Sequence, residues 1–439
     1  MSERIILVLG ASGLIGRFVT DDLRARGFRV VGVARSLSPA QRMSALDIEL
    51  PVLSLDAAAL AGLLREHEVD VAVNCLGVLQ DGPGSDTNAV HRDFVARLLQ
   101  AIGDSGRAIR LVHISIPGTV EADRTAFAMT KREAERLIAA SGIPHAILRP
   151  GFVVAPSAYG GSAMLRALAA FPLDLPPAEM ATPFQSVAVE DIAATIAWLA
   201  VRDIDDVIVK AVSWDLMQAE PIAMAGVIKQ FRFAFGTAGW PRIAMPSLML
   251  GLGAKIGDFA NTLGWMPPMR STAIAELRRG VTGDPSAWIA ATGITPKTLA
   301  ETIGRHPATI QDKWFARLFL IKALILASLV AFWLVSGFIA LFVSYRAAAG
   351  ILSAHNFPPA LVDPVTVGTS LMDMSIGVLI AFRRTAAIGL VAGIAVSLGY
   401  MFGAAILTPY LWIEPLGALV KTGPAIVLML VALLMLDNR

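Results

Sequence analysis

The residues best suited to chemistry stand near the N-terminus. Gly10-Ala11-Ser12-Gly13-Leu14-Ile15-Gly16 follows the apolar run 5–9 and opens an amphipathic stretch over 14–26. Gly10 permits a tight turn, Gly13 lets backbone approach a ligand, and Gly16 lets the following helix lie close to the preceding strand. Amides at the start of such a helix, together with its dipole, attract anions, and a dinucleotide diphosphate is the anion this loop would serve. A second signal closes the next apolar run, residues 29–33. There Ala34-Arg35-Ser36 occupies the place where an acidic residue would hold the ribose hydroxyls of NAD(H). A carboxylate would repel a 2′-phosphate, whereas the Arg35 guanidinium pairs with one, and Arg17 can assist from the loop. The pattern favours NADP(H), with NAD(H) as the alternative.

Other chemistries find no support. The six histidines are scattered without metal-ligand spacing, so no metal site is expected, and the single Cys75 excludes an intrachain disulfide. His113 and Cys75 fall inside expected strands and read as core residues. Neither a Gly-x-Ser-x-Gly elbow nor a Walker loop occurs.

The elements that must position the loop follow from hydrophobic pattern. Strands are expected at 5–9, 29–33, 52–55, 69–75, 110–115 and 145–148, with a late one at 207–212. Helices are expected at 14–26, 86–102 and 122–140. This alternation predicts an α/β fold, a Rossmann-type parallel sheet doubly wound by helices, with ligands beyond the carboxyl ends of the strands. At 439 residues the chain exceeds one ordinary domain, and 55% apolar against 16% charged residues calls for a membrane segment. A net charge of +2 is too weak for an electrostatic nucleic-acid surface, so no nucleic acid is expected as partner. The short run after Arg4 leads into a glycine loop rather than a cleavage site, so the N-terminal part is expected to stay where it is made.

With the glycine loop, Asp56, Asn74-Cys75-Leu76-Gly77, Arg149-Pro150-Gly151 and the segment Val187 through Ala193, the first 235 residues resemble the extended and atypical short-chain dehydrogenase/reductases. The resemblance implies that Asp56 lies near the adenine, that Leu76 and Gly77 line the ribose side, and that Ser115 ends the fifth strand at the active site. Members generally carry Tyr-x-x-x-Lys on one helix face, the lysine lowering the phenol pKa and holding the ribose while the tyrosine moves a proton. Here the segment reads Phe127-Ala128-Met129-Thr130-Lys131. Lys131 is kept, but Phe127 has no titratable hydrogen. Three explanations stay open: binding without turnover, as in the nucleotide-binding accessory subunit of respiratory complex I; a substitute donor such as Ser115, Thr130 or water; or hydride transfer to an acceptor needing little proton help, such as a quinone or flavin.

Beyond a substrate lobe ending near residue 235, the stretch 236–312 reads as a helical juxtamembrane linker. It holds an apolar run at 243–253 too short to span, with Trp240, Trp265, Met266, Arg270, Arg278 and Arg279 nearby, which suits a headgroup boundary or, equally, a buried inter-domain helix. Residues 313–439 then contain four apolar segments, at 323–343, 365–382, 386–407 and 416–436, expected to form an all-α four-helix transmembrane bundle in contact with the lipid bilayer. Gly389, Gly393, Gly399 and Gly403 suit close helix packing. Arg305, Lys313 and Arg317 precede the first span and Arg383-Arg384 separates the second and third. The other side offers Arg346 beside His355, Asp363 and Glu414. Positive-inside bias therefore predicts both termini in the cytoplasm of an inner-membrane, multi-pass protein. Trp333-Leu334-Val335-Ser336-Gly337 and Trp412-Ile413-Glu414-Pro415-Leu416-Gly417, followed by Lys421, resemble the DoxX-like family of four-helix membrane modules. Asp373 inside the second span should face the bundle interior, with Lys421 a candidate partner. The expected function is membrane-anchored, NADP(H)-dependent oxidation or reduction of an apolar, lipid- or quinone-like substrate or membrane redox partner. In it Lys131 and Ser115 are the candidate catalytic residues, and Gly10 through Gly16, Arg35, Asp56, Leu76, Gly77 and Lys131 hold the cofactor. The alternatives are a non-catalytic NADP(H)-binding module and a nucleotide-regulated transport subunit using Asp373.

Overall fold

A computed structural model describes residues 4–82, 84–354, 357–413 and 417–436. His355, Glu414, Pro415 and Leu416, invoked above for orientation and motif, lie outside the described residues. The chain divides into two compact units, Met1–Asp258 with Pro267–Ala316, and Phe259–Met266 with Arg317–Arg439.

The first unit is built on a sheet of seven parallel strands. In chain order its elements begin β1 (Ile5–Leu9), α1 (Leu14–Ala25), β2 (Arg29–Ala34), α2 (Pro39–Arg42), β3 (Asp47–Glu49), α3 (Ala57–Glu66) and β4 (Val71–Asn74). They continue with α4 (Phe94–Asp104), β5 (Arg110–Ile114), α5 (Ala126–Ala140) and β6 (His145–Pro150). Then come β7 (Phe152–Val154), α6 (Gly160–Ala169), β8 (Leu173–Asp174), α7 (Pro177–Met180), β9 (Pro183–Phe184), β10 (Ser186–Ala188), α8 (Val189–Ala200) and β11 (Ala211–Leu216). The sheet order is β11-β6-β5-β4-β1-β2-β3, which reverses direction between β1 and β4. Parallel strands covered on both faces must be apolar throughout, and Ile5 to Leu9 are all buried. One face packs on Val19 and Leu23 of α1 and Ile192, Ile196 and Leu199 of α8. The other packs on Leu60 and Leu64 of α3, Phe94 and Leu98 of α4, and Ile138 of α5. Each such side chain contributes roughly 1.5–3 kcal/mol by burial, so the two layers hold the sheet firmly. The doubly wound expectation is met.

Local differences have physical causes. The expected strand at 52–55 is a 3₁₀ turn, Val52–Ser54. The third strand is the short polar edge segment β3, paired only with β2, and such a segment leaves no apolar run to read. The late strand is β11 rather than 207–212. Val207 and Ile208 lie exposed, while Trp214 and Leu216 are buried, an alternation suited to an edge strand. The helix expected from 86 begins as a π-helical turn, Asn88–Asp93, before α4. The helix expected from 122 starts at Ala126, where Thr125 accepts a hydrogen bond from the Ala128 amide.

The rest of the unit forms a smaller lobe from α6 to β10 with β12 (Ile222–Ala223), α9 (Met224–Phe235), β13 (Ile243–Ala244) and α10 (Ser247–Thr262). α11 (Ser271–Arg279), α12 (Ser286–Thr292) and α13 (Leu299–Arg305) follow. Ile274 of α11 and Leu299 of α13 share a core with Phe231 and Phe235 of α9. Trp288 of α12 is wholly buried and donates to Thr195 Oγ1 at 3.0 Å.

In the second unit, α14 (Ile310–Phe338) contributes its residues from Arg317 onward and runs into a π-helical turn, Ile339–Val343. α15 (Tyr345–Ser353), α16 (Pro359–Ala381), α17 (Ala386–Leu407) and α18 (Ala418–Leu434) complete it. Among the described residues three helices, Ile310–Val343, Pro359–Ala381 and Ala386–Leu407, are long and apolar enough to cross a membrane, while α18 is a shorter apolar helix. Leu324, Phe342, Phe402, Ile406 and Leu434 are more than 60% exposed, a surface that suits lipid. Gly389 and Gly393 do mediate packing, against Ile380 and against Trp333 and Met429, whereas Gly399 and Gly403 meet nothing within 4 Å among the described residues. Asp373 accepts a hydrogen bond from the Tyr400 hydroxyl at 2.9 Å across α16 and α17, and no Lys421 pairing is seen among the described residues.

Candidate functional site

At the switch point between β1 and β4 the glycine loop is folded by backbone alone. Gly10 turns at φ +85°, and its amide and that of Ala11 both donate to Val33 O, at 2.8 and 3.1 Å. α1 then starts at Leu14 behind Gly13, which offers no side-chain cap. The first helical bond runs from the Arg17 amide to Gly13 O, so the amides of Leu14, Ile15 and Gly16 have no partner in their own helix. Ala11 is buried, and Ser12, Gly13, Leu14 and Ile15 are partly exposed. A Cβ on Gly16 would collide with the Gly10 carbonyl, which is why this position must stay bare. An uncapped helix start in a glycine cradle fits a diphosphate.

Around the loop the predicted residues take different places. Arg35 and Arg17 are exposed, Arg35 two residues beyond the carbonyl that holds Gly10 and Ala11. Glu49, opposite Ala34 on β3, brings a carboxylate close by. Its charge is met by Arg42 at 2.9 Å and by the Leu37 amide at 3.2 Å, which hold its carboxyl below the usual range. Asp56 caps α3, accepting from the Ala59 amide at 2.8 Å.

The candidate reacting end is assembled from side chains of β4, β5, α5 and the π turn. Asn74 Oδ1 accepts from the Leu76 amide at 3.1 Å and Nδ2 reaches His113 Nδ1 at 3.2 Å, shaping the turn that presents Leu76 and Gly77. Leu76 packs against Gly10, so the two loops meet. Lys131 is buried between the ends of β4 and β5, donating to Ile114 O at 2.8 Å and Leu76 O at 3.3 Å. An ammonium has three donors. Two are engaged by these carbonyls, and Gly77 lies beside Nζ, where even an added Cβ would stand 3.5 Å away in ordinary contact. Burial, partly offset by Cys75 and Glu135, lowers the Lys131 pKa to about 8.

Sequence reasoning missed His91. The π turn carries it beneath Gly77, where Nε2 accepts from the Val78 amide at 3.1 Å. Nδ1 must then hold the hydrogen and donate it to Thr130 Oγ1 at 2.8 Å, and Thr130 passes its own hydrogen to Ala126 O at 2.7 Å. Burial, helped by Lys131, drives the His91 pKa down to about 2, so the ring is neutral. Phe127 lies edge-on against it with centroids 5.6 Å apart. Thr130 is thus a committed donor. Nothing in the sequence signalled this pairing, because a π turn shifts the helical register by one residue.

Ser115 sits buried at the end of β5 with its amide on Leu148 O at 2.7 Å. Its hydroxyl makes no hydrogen bond of ordinary geometry but lies close enough to Glu135 to favour that carboxylate. Burial opposes the Glu135 charge, yet Arg149, at 2.7 and 2.9 Å, with Ser115 and Arg132 holds its carboxyl below the usual range. Cys75 is half-buried, and burial pushes its thiol up to about 12. The structure thus gathers Leu76, Gly77, Ser115 and Lys131 beside the glycine loop.

Comparison with known proteins agrees with the fold. Residues 6–220 match the NAD dependent epimerase/dehydratase family, and residues 330–430 match the DoxX-like family. The chain joins an NAD(P)-binding Rossmann domain of the short-chain dehydrogenase/reductase type to a DoxX-like apolar helical domain. NAD(P) is the cofactor typical of the first family. The chain is similar to a 3-diazoavenalumate denitrifying reductase from a Streptomyces species, 31% identical over 195 residues, covering 37% of this chain and 62% of the relative. It is also similar to dTDP-6-deoxy-L-talose 4-dehydrogenase (NAD(P)(+)) from Kitasatospora kifunensis, 32% identical over 118 residues, covering 26% of this chain and 35% of that protein. It therefore spans less than two thirds of either relative. UDP-glucuronic acid 4-epimerase from Bacillus cereus in complex with NAD shares the fold, with TM-score 0.53 at 16% identity over 72% of this chain and 99% of the epimerase. That share is larger than residues 6–220 alone can supply, so the common fold extends into the smaller lobe.

Proposed function

We propose that the protein is a membrane-anchored, NADP(H)-dependent oxidoreductase acting on an apolar, lipid- or quinone-like substrate. The observation that carries this reading is the state of Lys131, kept buried at the ends of β4 and β5 on two backbone carbonyls with Gly77 beside its Nζ. Bound cofactor would supply or accept a hydride. In this reading the amides of Leu14, Ile15 and Gly16 hold the diphosphate, Arg35 pairs with the 2′-phosphate, and Asp56 stands on the adenine side. Leu76 and Gly77 flank the ribose that Lys131 holds, and Ser115 orients the reacting oxygen. Phe127 supplies no proton and Thr130 has committed its own. The remaining donors are Lys131, Ser115 and water, which suits an acceptor such as a quinone that needs little help. Reductase and NAD(P)(+) in the names of the two curated relatives support an oxidoreductase. The charge pattern supports an inner-membrane, multi-pass protein with its nucleotide domain and C-terminus in the cytoplasm.

A second reading, a non-catalytic NADP(H) module resembling the complex I accessory subunit, is favoured by the ring pair of Phe127 and His91. The test is purification in detergent, asking whether NADPH is retained and then oxidised by short-chain quinones or membrane extract. Retention with oxidation supports the enzyme. Retention that persists without oxidation moves the assignment to the module.

A further inference from the structure

The expected linker supplies a helix that reaches both loops of the reacting end. At the start of α11, Arg270 donates to Asp81 O at 2.7 Å, in the loop that follows Gly77, and is itself held by Asp258 at 3.2 Å. At the other end, Arg279 donates to Pro117 O at 2.9 Å and to Asp123 at 3.1 Å, in the loop that follows Ser115. Glu276 anchors Arg279 at 2.9 Å and accepts from Thr125, the residue that caps the helix carrying Phe127 and Lys131. Arg132 of α5 also bonds the second loop, at Ile116 O, Pro117 O, Gly118 O and Asp123. Pro117 O and Asp123 are therefore shared by two guanidiniums, Arg132 and Arg279. Gly118 turns at φ +96°, and a Cβ there would stand 2.7 Å from Arg279 Nη1, so the loop is shaped around that arginine.

These contacts join segments more than 150 residues apart, and each uses a charged donor on a backbone carbonyl or a carboxylate, the stronger class of hydrogen bond. The Arg279 side chain is only 8% exposed, so its charge is answered by this loop and by Glu276 rather than by water. Backbone loops at strand ends are otherwise the least stable parts of such a fold.

We infer that α11 is a strap tying the loops after β4 and β5 into one wall of the reacting end, with Arg279 as its positioning residue for Ser115 and Lys131. The oxidoreductase consequence rests on the function proposed above; the strap itself does not. Arg279 bonds Pro117 O, Asp123 and Glu276. It fixes Pro117, two residues beyond Ser115, and, through Glu276, the first turn of α5.

The test uses the full chain in detergent and compares R279Q, R270Q and E276Q with the parent by hydrogen–deuterium exchange and NADPH calorimetry. R279Q should raise exchange across 116–125 by about tenfold, the order expected for losing one charge-assisted anchor. R270Q should do the same at 77–82 only. E276Q, which keeps the arginine but frees it, should give a smaller rise at 116–125. NADPH affinity should fall by less than about fivefold, because the diphosphate loop is untouched while the ribose side loosens, and quinone-dependent kcat falls about tenfold or more. Unchanged exchange at 116–125 in R279Q, or equal loosening of β1 and β4 in all three variants, overturns the strap. Loosened loops in a protein that binds no NADPH leave the strap standing and remove the proposed function instead.

Discussion

At the glycine loop the groups that would meet a ligand are backbone amides and missing Cβ atoms. At the reacting end they are buried side chains, each held by a partner remote in sequence. Gly10, Gly13 and Gly16 act within seven residues, and their geometry is set by two amides on Val33 O. Lys131 depends on carbonyls 17 and 55 residues away, and His91 on Thr130, 39 residues away. The first kind of site tolerates almost no added atom. The second tolerates changes of side chain that alter its chemistry without altering the fold, and in the proposed reading Phe127 is one such change.

The comparison breaks most sharply at Gly16. A Cβ there meets the Gly10 carbonyl, so Gly16→Val must push α1 away from β1. We expect loss of NADPH binding by at least about 100-fold, roughly 3 kcal/mol, with a lowered melting temperature. Calorimetry on folded variant protein that gives the parent's affinity would show that the loop does not hold the cofactor.

A smaller effect sharpens the other end. If Lys131 must carry its proton for turnover, oxidation of NADPH should fall about tenfold per pH unit above about 8, where the buried ammonium titrates. The sign for stability is the reverse. The folded-state pKa lies below the ordinary 10.5, so the unfolded chain binds the proton more tightly, and stability rises as pH climbs from about 8. A rate that falls while the melting temperature does not separates proton loss from unfolding. In Phe127→Tyr the phenol would sit on the helix face of Lys131, and the rate should rise about 100-fold as general acid catalysis returns. A flat pH profile in the parent, with no gain in the variant, would favour the module.

The same contrast explains what could be read from the chain. The glycine loop, the doubly wound sheet and the apolar helices were legible because each is written locally, in glycine spacing or in apolar runs. The third strand was not, since Asp47–Glu49 is a polar edge segment whose register comes only from β2. His91 was hidden by the π turn that rotates it inward. By sequence Arg270 and Arg279 suit either a headgroup boundary or a buried inter-domain helix, and their partners are Asp81, Pro117 and Asp123, which no spacing rule connects to them. Asp373 was flagged by its cost in a span, but its observed partner is Tyr400, a residue that an apolar run conceals.

The smallest effect concerns Arg35, which lies between the two kinds of site, a side chain acting at the edge of a backbone cradle. It is exposed, so its pairing with a 2′-phosphate is weakened by water and salt, and about 1 kcal/mol is the reasonable scale. Arg35→Ala should therefore weaken NADPH about fivefold to tenfold and leave NADH unchanged, because NADH has no phosphate for the guanidinium to meet. Neutralised by Arg42, Glu49 should not reverse the preference. Raising ionic strength should narrow the difference between the two cofactors in the parent but not in the variant. Equal binding of NADPH and NADH by the parent at low salt would remove the assignment of Arg35, leaving the diphosphate cradle as the cofactor contact still argued from geometry.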